Sequence, residues 1–595
     1  TVRAEEEQDN PPLGRLFAHL ERDRLLTTIA LGPLDRTATA LLAGEVTGHP
    51  LDEPALARTF RETEGHPLFI VERGRMALAA TPAEGADNAL PHVQSVVAAR
   101  LALLSGEARA AAEVAAAIGR DFRFDILSQA SDLEEDALVR ALDELWRRHI
   151  VRVQSDERWD FSHDRIREVA YGEIGPARRR LIHRRIAQGM ELLFADRLDD
   201  ASASIAEHLA RGGQPARAVS FLERAAASAM RLSAAEEAIR CLTQALALVD
   251  LQPAGPDRDG RELTLRSSLS IALNSSRGYA APEVERNLER VSALLVPNGR
   301  GQLPVRWLWV AFTLRFMLGD LKGTREVSEQ ALAQSAADPS CRCEAHHAMG
   351  ATLLHVGELA ASIEHFDAAL AAYDEERTPR SALGSDLGVF AQAWSAHALY
   401  LLGDERRALE RAEQAVSLAR RQNHAFSEAL ALAYAALLHQ MRGDADHVMP
   451  SAEAAVALCD RYGIAYYGDW ALALIGWARG QQRPAEGIEI IETALTRLDR
   501  HRAQARRPYY LSLLADTNSR LGNRDRASAI VDTAIDLAIA RGDAWWLPAM
   551  LLQKSELEPP AARDATLRRA LALAREQRSR ALERRILSSS VAGPV

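Results

Sequence analysis

A repeated spacing of small and apolar residues behind a glycine is the feature that most constrains the fold of this chain. Counted from Gly403, the positions 5, 6, 9, 12 and 13 residues further on are Ala408, Leu409, Ala412, Ala415 and Val416. The same spacing recurs, in full or in part, from six further starting residues: Gly213, Gly319, Gly357, Gly443, Gln482 and Gly522. From Gly319 onward the starting residues lie 38 to 46 residues apart. A fixed period of this length is typical of helical-repeat arrays.

Each repeat is predicted to be a hairpin of two helices. Glycine accepts the left-handed backbone with which a helix commonly ends, so it is expected to open the turn between the two helices. The small alanines let neighbouring helices approach closely. Because each hairpin exposes an apolar face that only its neighbours can bury, residues 200–590 are predicted to form a tetratricopeptide-like α-solenoid, a curved superhelix with a concave surface.

The composition agrees with a mainly α protein. Of the 595 residues, 47% are hydrophobic and 5% are aromatic, and the net charge of -10 is too small to favour nucleic acid or anionic membranes. No run of about 18 apolar residues occurs, so no membrane span is predicted and the expected location is the cytoplasm. The four cysteines are expected to be buried apolar residues or free thiols, and no metal site is predicted.

The N-terminal third of the chain is predicted to contain other domains. Residues 1–45 include a β-tolerant run at residues 25–31 and are predicted to be the C-terminal remnant of an α/β NTPase core. Because the chain begins at Thr1 rather than at Met, we expect it to be truncated. Residues 46–91 are predicted to be a helical domain that ends in a linker containing Gly and Pro.

Residues 92–190 are predicted to form a winged-helix domain. Apolar-periodic segments precede two short alternating runs, residues 150–154 and 159–163, which are typical of a β-hairpin. Ser131 and Glu134 have the spacing of a capping box, in which each side chain satisfies an amide at the start of a helix.

Direct DNA binding by this domain is not expected. The presumed recognition helix, residues 134–148, carries five acidic side chains that phosphates would repel. The arginines within residues 178–185 are expected to form a solvated linker face. DNA is therefore expected to be bound only through a domain outside this chain.

Catalysis by this chain alone is not predicted. A phosphate-binding loop needs Gly-x-x-x-x-Gly-Lys-Ser/Thr, and the two lysines of the chain, Lys322 and Lys554, lie in no such motif. Metalloprotease and nucleophile-elbow motifs are absent from the sequence as well. The sequence therefore predicts a regulatory protein without catalytic residues.

Three segments resemble parts of the signal-transduction ATPases with numerous domains, called STAND proteins. Arg3 resembles their sensor arginine at a strand end, and the segment EGHPLFIVE resembles their Gly-x-Pro signature, which would put Gly65 and Pro67 beside the adenine. The segment WDFSHDRIREVAY resembles the end of their winged-helix domain, where His163 would face the diphosphate of ADP. Two simpler interpretations stay open: Pro67 only starts a helix, and His163 only caps one.

The resemblance implies ATP or ADP as the ligand of an intact switch ATPase. This chain, which has no phosphate loop, is not expected to bind nucleotide tightly. A helix N-terminus attracts anions and a histidine adds a hydrogen-bond donor, so His163 is the best candidate for a nucleotide-state sensor.

The type of regulator is suggested by further short resemblances. The segments IGRDF and LVRALDELWRR look most like large bacterial transcriptional activators of the SARP class, which carry an N-terminal DNA-binding domain and a bacterial transcriptional activator domain. The segment RRPYYLSLLA is similar to repeat arrays fused to adenylate cyclase or kinase domains. The resemblance thus implies the sensor part of a transcription regulator. The alternatives are a cyclase or kinase fusion and a plain repeat scaffold, and a LuxR-type arrangement is not expected.

The same resemblance implies the partners of the chain. These are a protein or small-molecule inducer on the repeats, the N-terminal ATPase and effector domains of the intact protein, and a second copy in a homo-oligomer.

Aromatic residues concentrate in the last repeats. Two interpretations stay open, which are packing between repeats and a concave face that binds a peptide or another ligand. The candidate partner-binding residues are Tyr466, Tyr467, Trp470, Trp477, Tyr509, Tyr510, Trp545 and Trp546.

Overall fold

The fold divides into two compact units. The computed structural model describes residue 20 and residues 32–63, 65, 67–79, 93–155, 158–296 and 301–591. Unit 1 comprises the residues up to Asp196 together with Arg211–Gly213, and unit 2 comprises Arg197–Ala210 and the residues from Gln214 onward. Arg3, the strand predicted at residues 25–31 and the linker predicted from residue 81 lie outside the described residues.

Unit 1 consists of short helices and a small antiparallel sheet. Its helices are α1 (Arg36–Thr47), α2 (Glu53–Thr63), α3 (Pro67–Ala79), α4 (Val93–Ala102), α5 (Gly106–Ile118), α6 (Phe124–Ala130), α7 (Glu135–Arg147), α8 (Asp164–Glu173) and α9 (Pro176–Leu193). Its strands are β1 (Asp121–Arg123), β2 (Val151–Ser155) and β3 (Arg158–Phe161), in the order β1-β3-β2. In the hairpin of β2 and β3, Val151 pairs with Phe161, so the predicted β-hairpin is confirmed.

The core of unit 1 lies between α5, α7 and the sheet. Leu138 and Leu145 of α7 are fully buried, and the rings of Phe122 on β1 and Phe161 on β3 lie 5.9 Å apart. The sequence pattern did not predict β1 and α6, because a strand of three residues and a helix of seven are too short to show a period.

The predicted capping box before α7 is wrong. The N-cap residue of α7 is Glu134, whose side chain makes no capping hydrogen bond. Ser131 Oγ accepts a hydrogen bond from Leu133 N at 3.1 Å, which closes a local turn three residues before the helix. The Ser131 hydroxyl therefore stabilises the loop and does not cap α7.

Unit 2 is an array of helical hairpins. The helices before residue 300 are α10 (Leu198–Arg211), α11 (Pro215–Arg231), α12 (Ala235–Asp250), α13 (Pro256–Arg277) and α14 (Pro282–Leu295). They continue with α15 (Val305–Met317), α16 (Leu321–Ser335), α17 (Arg342–His355), α18 (Leu359–Ala372), α19 (Leu387–Leu402), α20 (Glu405–Arg421), α21 (Ala425–Met441) and α22 (Ala445–Tyr462). The last are α23 (Tyr467–Gly480), α24 (Pro484–Arg500), α25 (Arg507–Arg520), α26 (Arg524–Arg541), α27 (Leu547–Leu557), α28 (Pro560–Glu576) and α29 (Arg580–Val591).

The starting residues of the sequence repeat lie in the turns inside these hairpins, as predicted. Gly403 ends α19 with a φ of 94°, in the left-handed region that glycine favours. Positive φ is also found at the corresponding glycines, which are Gly213, Gly319, Gly357, Gly443 and Gly522. On the following helix, Ala408, Ala412 and Ala415 are buried, as their spacing requires. The predicted α-solenoid is confirmed.

Successive turns of the superhelix in unit 2 are in direct contact. Backbone hydrogen bonds link them as follows: Ala465 N to Ser275 O (3.0 Å), Gln504 N to Met317 O (2.7 Å) and Ala544 N to His355 O (2.8 Å). The hydroxyls of Tyr279 and Tyr467, 188 residues apart in sequence, lie 2.8 Å from each other. Because the turns touch, an inner helix is enclosed on every side, and residues 429–438 of α21 are all buried.

Within the described ranges, no helix has the length and apolar character needed to cross a membrane. In the same ranges, no three His, Cys, Asp or Glu side chains are grouped so that they could hold a metal ion. The four cysteines are free thiols. Burial raises the pKa of Cys343 and of Cys459 to about 12, which agrees with their prediction as buried apolar residues.

Candidate functional site

The Gly-x-Pro signature forms a tight turn that leads into a helix. Gly65 has a φ of 75°, and a Cβ atom there would lie 2.0 Å from the carbonyl oxygen of Leu34. Leu34 N donates a hydrogen bond of 2.7 Å to Gly65 O, so the turn holds the segment before α1. Pro67 is the first residue of α3, which confirms its role as a helix start. The position of Gly65 and Pro67 beside an adenine stays a prediction.

His163 lies where the sheet of unit 1 passes into α8. It is the N-cap residue of α8 and has an extended backbone, but its side chain makes no capping hydrogen bond. The imidazole therefore does not cap α8. Its pKa is lowered by partial burial and then by the charges of four arginines, which are Arg75, Arg152, Arg100 and Arg120. A neutral imidazole at pH 7 can donate one N–H to an anion.

Three of the arginines come from separate elements of unit 1, which are α3, α4 and β2, and Arg120 lies in the loop before β1. Arg75 is on α3, the helix that Pro67 starts, so folding brings the Gly-x-Pro segment into the neighbourhood of His163. Arg100 is buried near the end of α4 and donates to the carbonyl oxygen of Arg148. Burial, together with the charge of Arg148, lowers the pKa of Arg100 to about 10.

Two of the arginines are balanced by carboxylates. Arg152 Nη2 donates to Asp160 Oδ2 at 2.7 Å, and Arg120 Nη1 donates to Asp164 Oδ2 at 3.1 Å. Arg120 Nε also lies 3.5 Å from Oδ1 of the buried Asp160, so Arg120 links β3 to the start of α8. The charges of all four arginines lower the pKa of His163, so the imidazole lies in a neighbourhood of positive charge.

A second histidine belongs to the same cluster. The pKa of His149 is lowered by burial and then by the charges of Arg75 and Arg100, two of the arginines that also lower the pKa of His163. The sequence analysis missed His149 and the four arginines, because they are scattered over about 80 residues and only the fold brings them together. Arg120 lies in the segment IGRDF that carried a family resemblance, which was the one clue to it in the sequence.

The second arginine cluster, within residues 178–185, is occupied by contacts inside unit 1. Arg178 Nε donates to Glu113 Oε2 at 2.6 Å, and Arg184 Nε donates to Gly212 O at 2.7 Å. The guanidinium of Arg179 lies 4.7 Å from the centre of the Tyr171 ring. These side chains pack the helices of unit 1 together, which adds to the reasons against a DNA-binding role.

The aromatic residues of the last repeats are buried within unit 2. Those predicted to bind a partner have 0–5% of their surface exposed, and they are Tyr466, Tyr467, Trp470, Trp477, Tyr509, Tyr510, Trp545 and Trp546. Trp477 belongs to packing between repeats, since its Nε1 donates to Asp516 Oδ2 at 2.9 Å on the next hairpin. Partner binding by these residues stays a prediction.

The other seven aromatic residues gather with further rings along the inside of the superhelix, a region we call the aromatic axis. The ring centres of Tyr434 and Trp470 are 4.7 Å apart, and those of Tyr509 and Trp545 are 5.4 Å apart. Arg506 lies among these rings and is 2% exposed. Its guanidinium carbon lies within 6 Å of four ring centres, those of Trp394 (4.4 Å), Trp470 (4.9 Å), Tyr434 (5.1 Å) and Phe316 (5.7 Å). Arg506 is the residue of this region that the sequence analysis missed.

Buried histidines along the aromatic axis predict a loss of stability in acid. Burial lowers the pKa of His347 and of His397 to about 3. Between pH 6.5 and 3 the unfolded chain therefore binds protons that the folded chain does not. The free energy of unfolding is expected to fall, as the pH is lowered through this window, by about 1.4 kcal/mol per pH unit for each histidine.

Urea unfolding at pH 7, 6 and 5, followed by circular dichroism, measures this dependence. His397→Gln removes one titrating histidine, so the free energy of unfolding should depend less steeply on pH. Glutamine can still reach the Tyr434 carbonyl that His397 Nε2 contacts at 2.9 Å, so the packing is kept. The contributions of the other titrating groups cancel when the free energy of unfolding of the variant is subtracted from that of wild type at each pH. Equal slopes in wild type and His397→Gln would contradict the prediction.

Comparison with known proteins finds one distant relative and several solved structures of weak similarity. The chain matches no family model. It is 25% identical over 511 residues to an uncharacterized protein of Rhizobium meliloti (strain 1021), and the match covers 83% of this chain and 49% of that protein. The chain thus spans about half the length of this relative.

Two solved structures show a weak similarity to this chain. A STAND protein with a tetratricopeptide repeat sensor from Pyrococcus horikoshii has a TM-score of 0.40 and 13% identity, with 95% of this chain and 75% of that chain covered. A Rap protein complexed with competence and sporulation factor has a TM-score of 0.45 and 13% identity, with 60% of this chain and 98% of that chain covered. At TM-scores below 0.5, neither similarity carries a conclusion about this chain.

Proposed function

We propose that this chain is the switch and sensor part of a longer regulatory ATPase of the STAND type. In this proposal, the cluster around His163 receives the diphosphate of ADP, and the repeat array receives an inducer or a protein partner. The observation that carries the proposal is the convergence of four arginines and two histidines at the N-terminus of α8. Backbone amides and the helix dipole favour an anion at the same place.

Two further features of unit 1 support the proposal. The element order α5-β1-α6-α7-β2-β3 is the one that a winged-helix domain requires. Arg75 joins the Gly-x-Pro segment to the His163 cluster, so an adenine and a diphosphate would be held by one set of elements. The phosphate loop and an effector domain would come from outside this chain, and transcription control would be exerted through that effector.

Replacing His163 by alanine tests the switch in the longer protein. The substitution removes a donor to the diphosphate, and the loss of a hydrogen bond to a charged group costs about 1.5–3 kcal/mol. Release of a fluorescent ADP analogue is therefore expected to become about tenfold faster or more, and output without inducer should rise. Stopped-flow fluorescence and a basal activity assay measure the two effects.

A matched variant controls for the loss of any histidine. His447 is exposed on the repeat array and its Nδ1 lies 2.8 Å from Asp444, so His447→Ala should change neither ADP release nor basal output. Unchanged ADP release in His163→Ala would refute the role of His163. Calorimetric titration of ADP into this chain alone should give no tight binding, and a micromolar affinity would contradict the proposal that the phosphate loop is supplied from outside.

A further inference from the structure

The connection between α18 and α19 is the longest one between consecutive helices in the part of unit 2 that the structure describes. It comprises residues 373–386, whereas the next connection along the chain consists of residues 403–404 alone. Loops of this length in a compact fold usually serve a function. The loop has a fixed conformation, because Ser381 and Leu383 are buried and Ser385 N donates to the Ser381 hydroxyl at 3.1 Å.

This loop is fastened to α13, which precedes it by about one turn of the superhelix. Asn274 Nδ2 on α13 donates to Leu383 O at 3.0 Å. Gly384 has a φ of 82°, and a Cβ atom there would lie 2.7 Å from Ile271 Cγ2, also on α13. Only glycine combines this backbone with so close an approach. The loop therefore stands as a wall beside α13.

A cavity of about 620 Å³ lies beside this wall. The volume falls within the range of about 300–1,000 Å³ that is typical of sites for small molecules. The loop, α11, α13, α21 and α22 all contribute residues to its lining. The apolar residues of the lining include Met230, Ile271, Leu383, Phe426, Leu458 and Ile464. One part of the cavity can therefore hold an apolar group.

Three charged side chains line the cavity, and two of them are already paired. Arg231 Nη2 donates to Asp199 Oδ2, and Glu428 Oε1 accepts from Arg420 Nε at 2.8 Å. The third is Arg380, which is exposed and makes no ion pair with a carboxylate among the described residues. The lining therefore has one positive charge that no neighbour balances.

The charge of Arg380 acts on a second lining residue, His424. Burial lowers the pKa of His424 to about 4, and the charge of Arg380 lowers it further, against the opposite effect of Asp386. At pH 7 the imidazole is therefore neutral, and its Nδ1 lies 2.8 Å from the Ser427 hydroxyl. His424 adds no charge to the cavity, so Arg380 stays its one unbalanced cation.

We propose that this cavity binds a medium-chain monocarboxylate, whose carboxylate pairs with Arg380 and whose alkyl chain lies against the apolar part of the lining. A guanidinium binds a carboxylate through two parallel hydrogen bonds, and an alkyl chain is stabilised when it leaves water. One unbalanced cation matches one negative charge, and Glu428 in the lining disfavours a doubly charged head group. The inference rests on the proposed function, in which the repeat array is the sensor, and names the chemical class of the inducer.

Calorimetric titration of the full 595-residue chain with sodium octanoate tests the proposal. Octanoate, kept below the concentration at which it forms micelles, should bind saturably with one molecule per chain. It should also raise the midpoint of thermal unfolding, because a ligand of the folded state stabilises that state. Sodium acetate has the same head group without the chain, and octan-1-ol has the chain without the charge. Each of these two should bind at least tenfold more weakly than octanoate.

Two substitutions in the lining separate binding from folding. Arg380→Gln removes the unbalanced charge and should raise the dissociation constant of octanoate at least tenfold. Asn423→Asp adds a negative charge with almost no change of shape and should weaken octanoate binding by a similar factor. Aspartate tolerates the φ of 48° at this position, and both residues are exposed, so neither variant should unfold earlier than wild type without ligand.

Arg377→Gln is the matched control. Arg377 belongs to the same loop as Arg380, its side chain is 88% exposed, and it does not line the cavity. Its replacement removes the same charge from the same segment and should leave the dissociation constant of octanoate unchanged.

The possible outcomes decide the proposal. Saturable octanoate binding that weakens in Arg380→Gln and Asn423→Asp, and not in Arg377→Gln, supports it. It is overturned if octanoate does not bind saturably, if acetate or octan-1-ol binds as tightly, if either lining variant binds octanoate like wild type, or if Arg377→Gln weakens binding equally. The ADP test depends on His163 in unit 1, so a failed octanoate titration leaves the nucleotide switch standing, and failure of the ADP test leaves the octanoate result standing.

Discussion

Replacing Trp470 by alanine is expected to lower the free energy of unfolding of the repeat array by about 3–5 kcal/mol. Trp470 is fully buried, its ring lies 4.7 Å from that of Tyr434, and it covers one face of the Arg506 guanidinium at 4.9 Å. Truncation removes a large apolar side chain from the aromatic axis and leaves a cavity that the surrounding helices fill only in part. Water in that cavity would also weaken the stacking on Arg506.

Urea unfolding followed by far-UV circular dichroism measures this loss. Leu251→Ala is the control, because Leu251 is an apolar residue of the same unit with 80% of its surface exposed. Its truncation should change the free energy of unfolding by no more than about 0.5 kcal/mol. A loss below about 1 kcal/mol for Trp470→Ala would mean that the inner side of the superhelix is open to water, which contradicts the packed axis.

Replacing Gly487 by alanine is expected to destabilise the array by about 2–3 kcal/mol, although alanine is the better helix former. A Cβ atom on Gly487 in α24 would lie 2.6 Å from the carbonyl oxygen of Gly476 and 2.6 Å from the Cα atom of Gly480, both in α23. Both are backbone atoms, so they cannot move away by a change of rotamer. The two helices of this hairpin must separate, and the packing that depends on their approach is lost.

Gly260 offers the matched comparison. It lies inside α13 and no atom comes within 4 Å of the position of an added Cβ. Gly260→Ala should therefore stabilise the array by up to about 1 kcal/mol through helix propensity alone. Thermal unfolding of the two variants should show shifts of opposite sign. A stabilising Gly487→Ala would mean that α23 and α24 do not approach as closely as described.

Both predictions concern a superhelix whose inside is filled by packed side chains. An inducer that enters the aromatic axis must displace rings that are already packed, so its binding would change the contacts between successive turns of the superhelix. The backbone bonds from Gln504 to Met317 and from Ala544 to His355 span those turns close to Arg506.

The repeated part of the fold could be predicted from local features of the sequence. The glycine of each hairpin turn, such as Gly403, has the positive φ for which glycine is suited, and the alanines behind it are buried. The β2–β3 hairpin and the role of Pro67 as a helix start were predicted for the same reason. In each case the deciding interactions join residues fewer than about 15 positions apart, so a short window of sequence contains them.

The failures and omissions involve interactions that no such window contains. The spacing of Ser131 and Glu134 fits a capping box, but the loop before α7 uses the serine hydroxyl itself. The arginines around His163 come from three different elements and one loop, and their approach depends on how α3 and α4 pack against the sheet. Of the residues in this cluster, the sequence therefore predicted His163 alone.

The sequence by itself determined that this protein is an array of helical hairpins preceded by a smaller helical and β-hairpin unit, because turn glycines, buried alanines and alternating runs act over short distances. Only the tertiary structure decided that the aromatic residues of the last repeats are enclosed and that Arg506 lies among them. That outcome depends on the pitch of the superhelix, which brings Tyr279 against Tyr467 across 188 residues. The pitch is the sum of small rotations between many hairpins, and no single repeat encodes it.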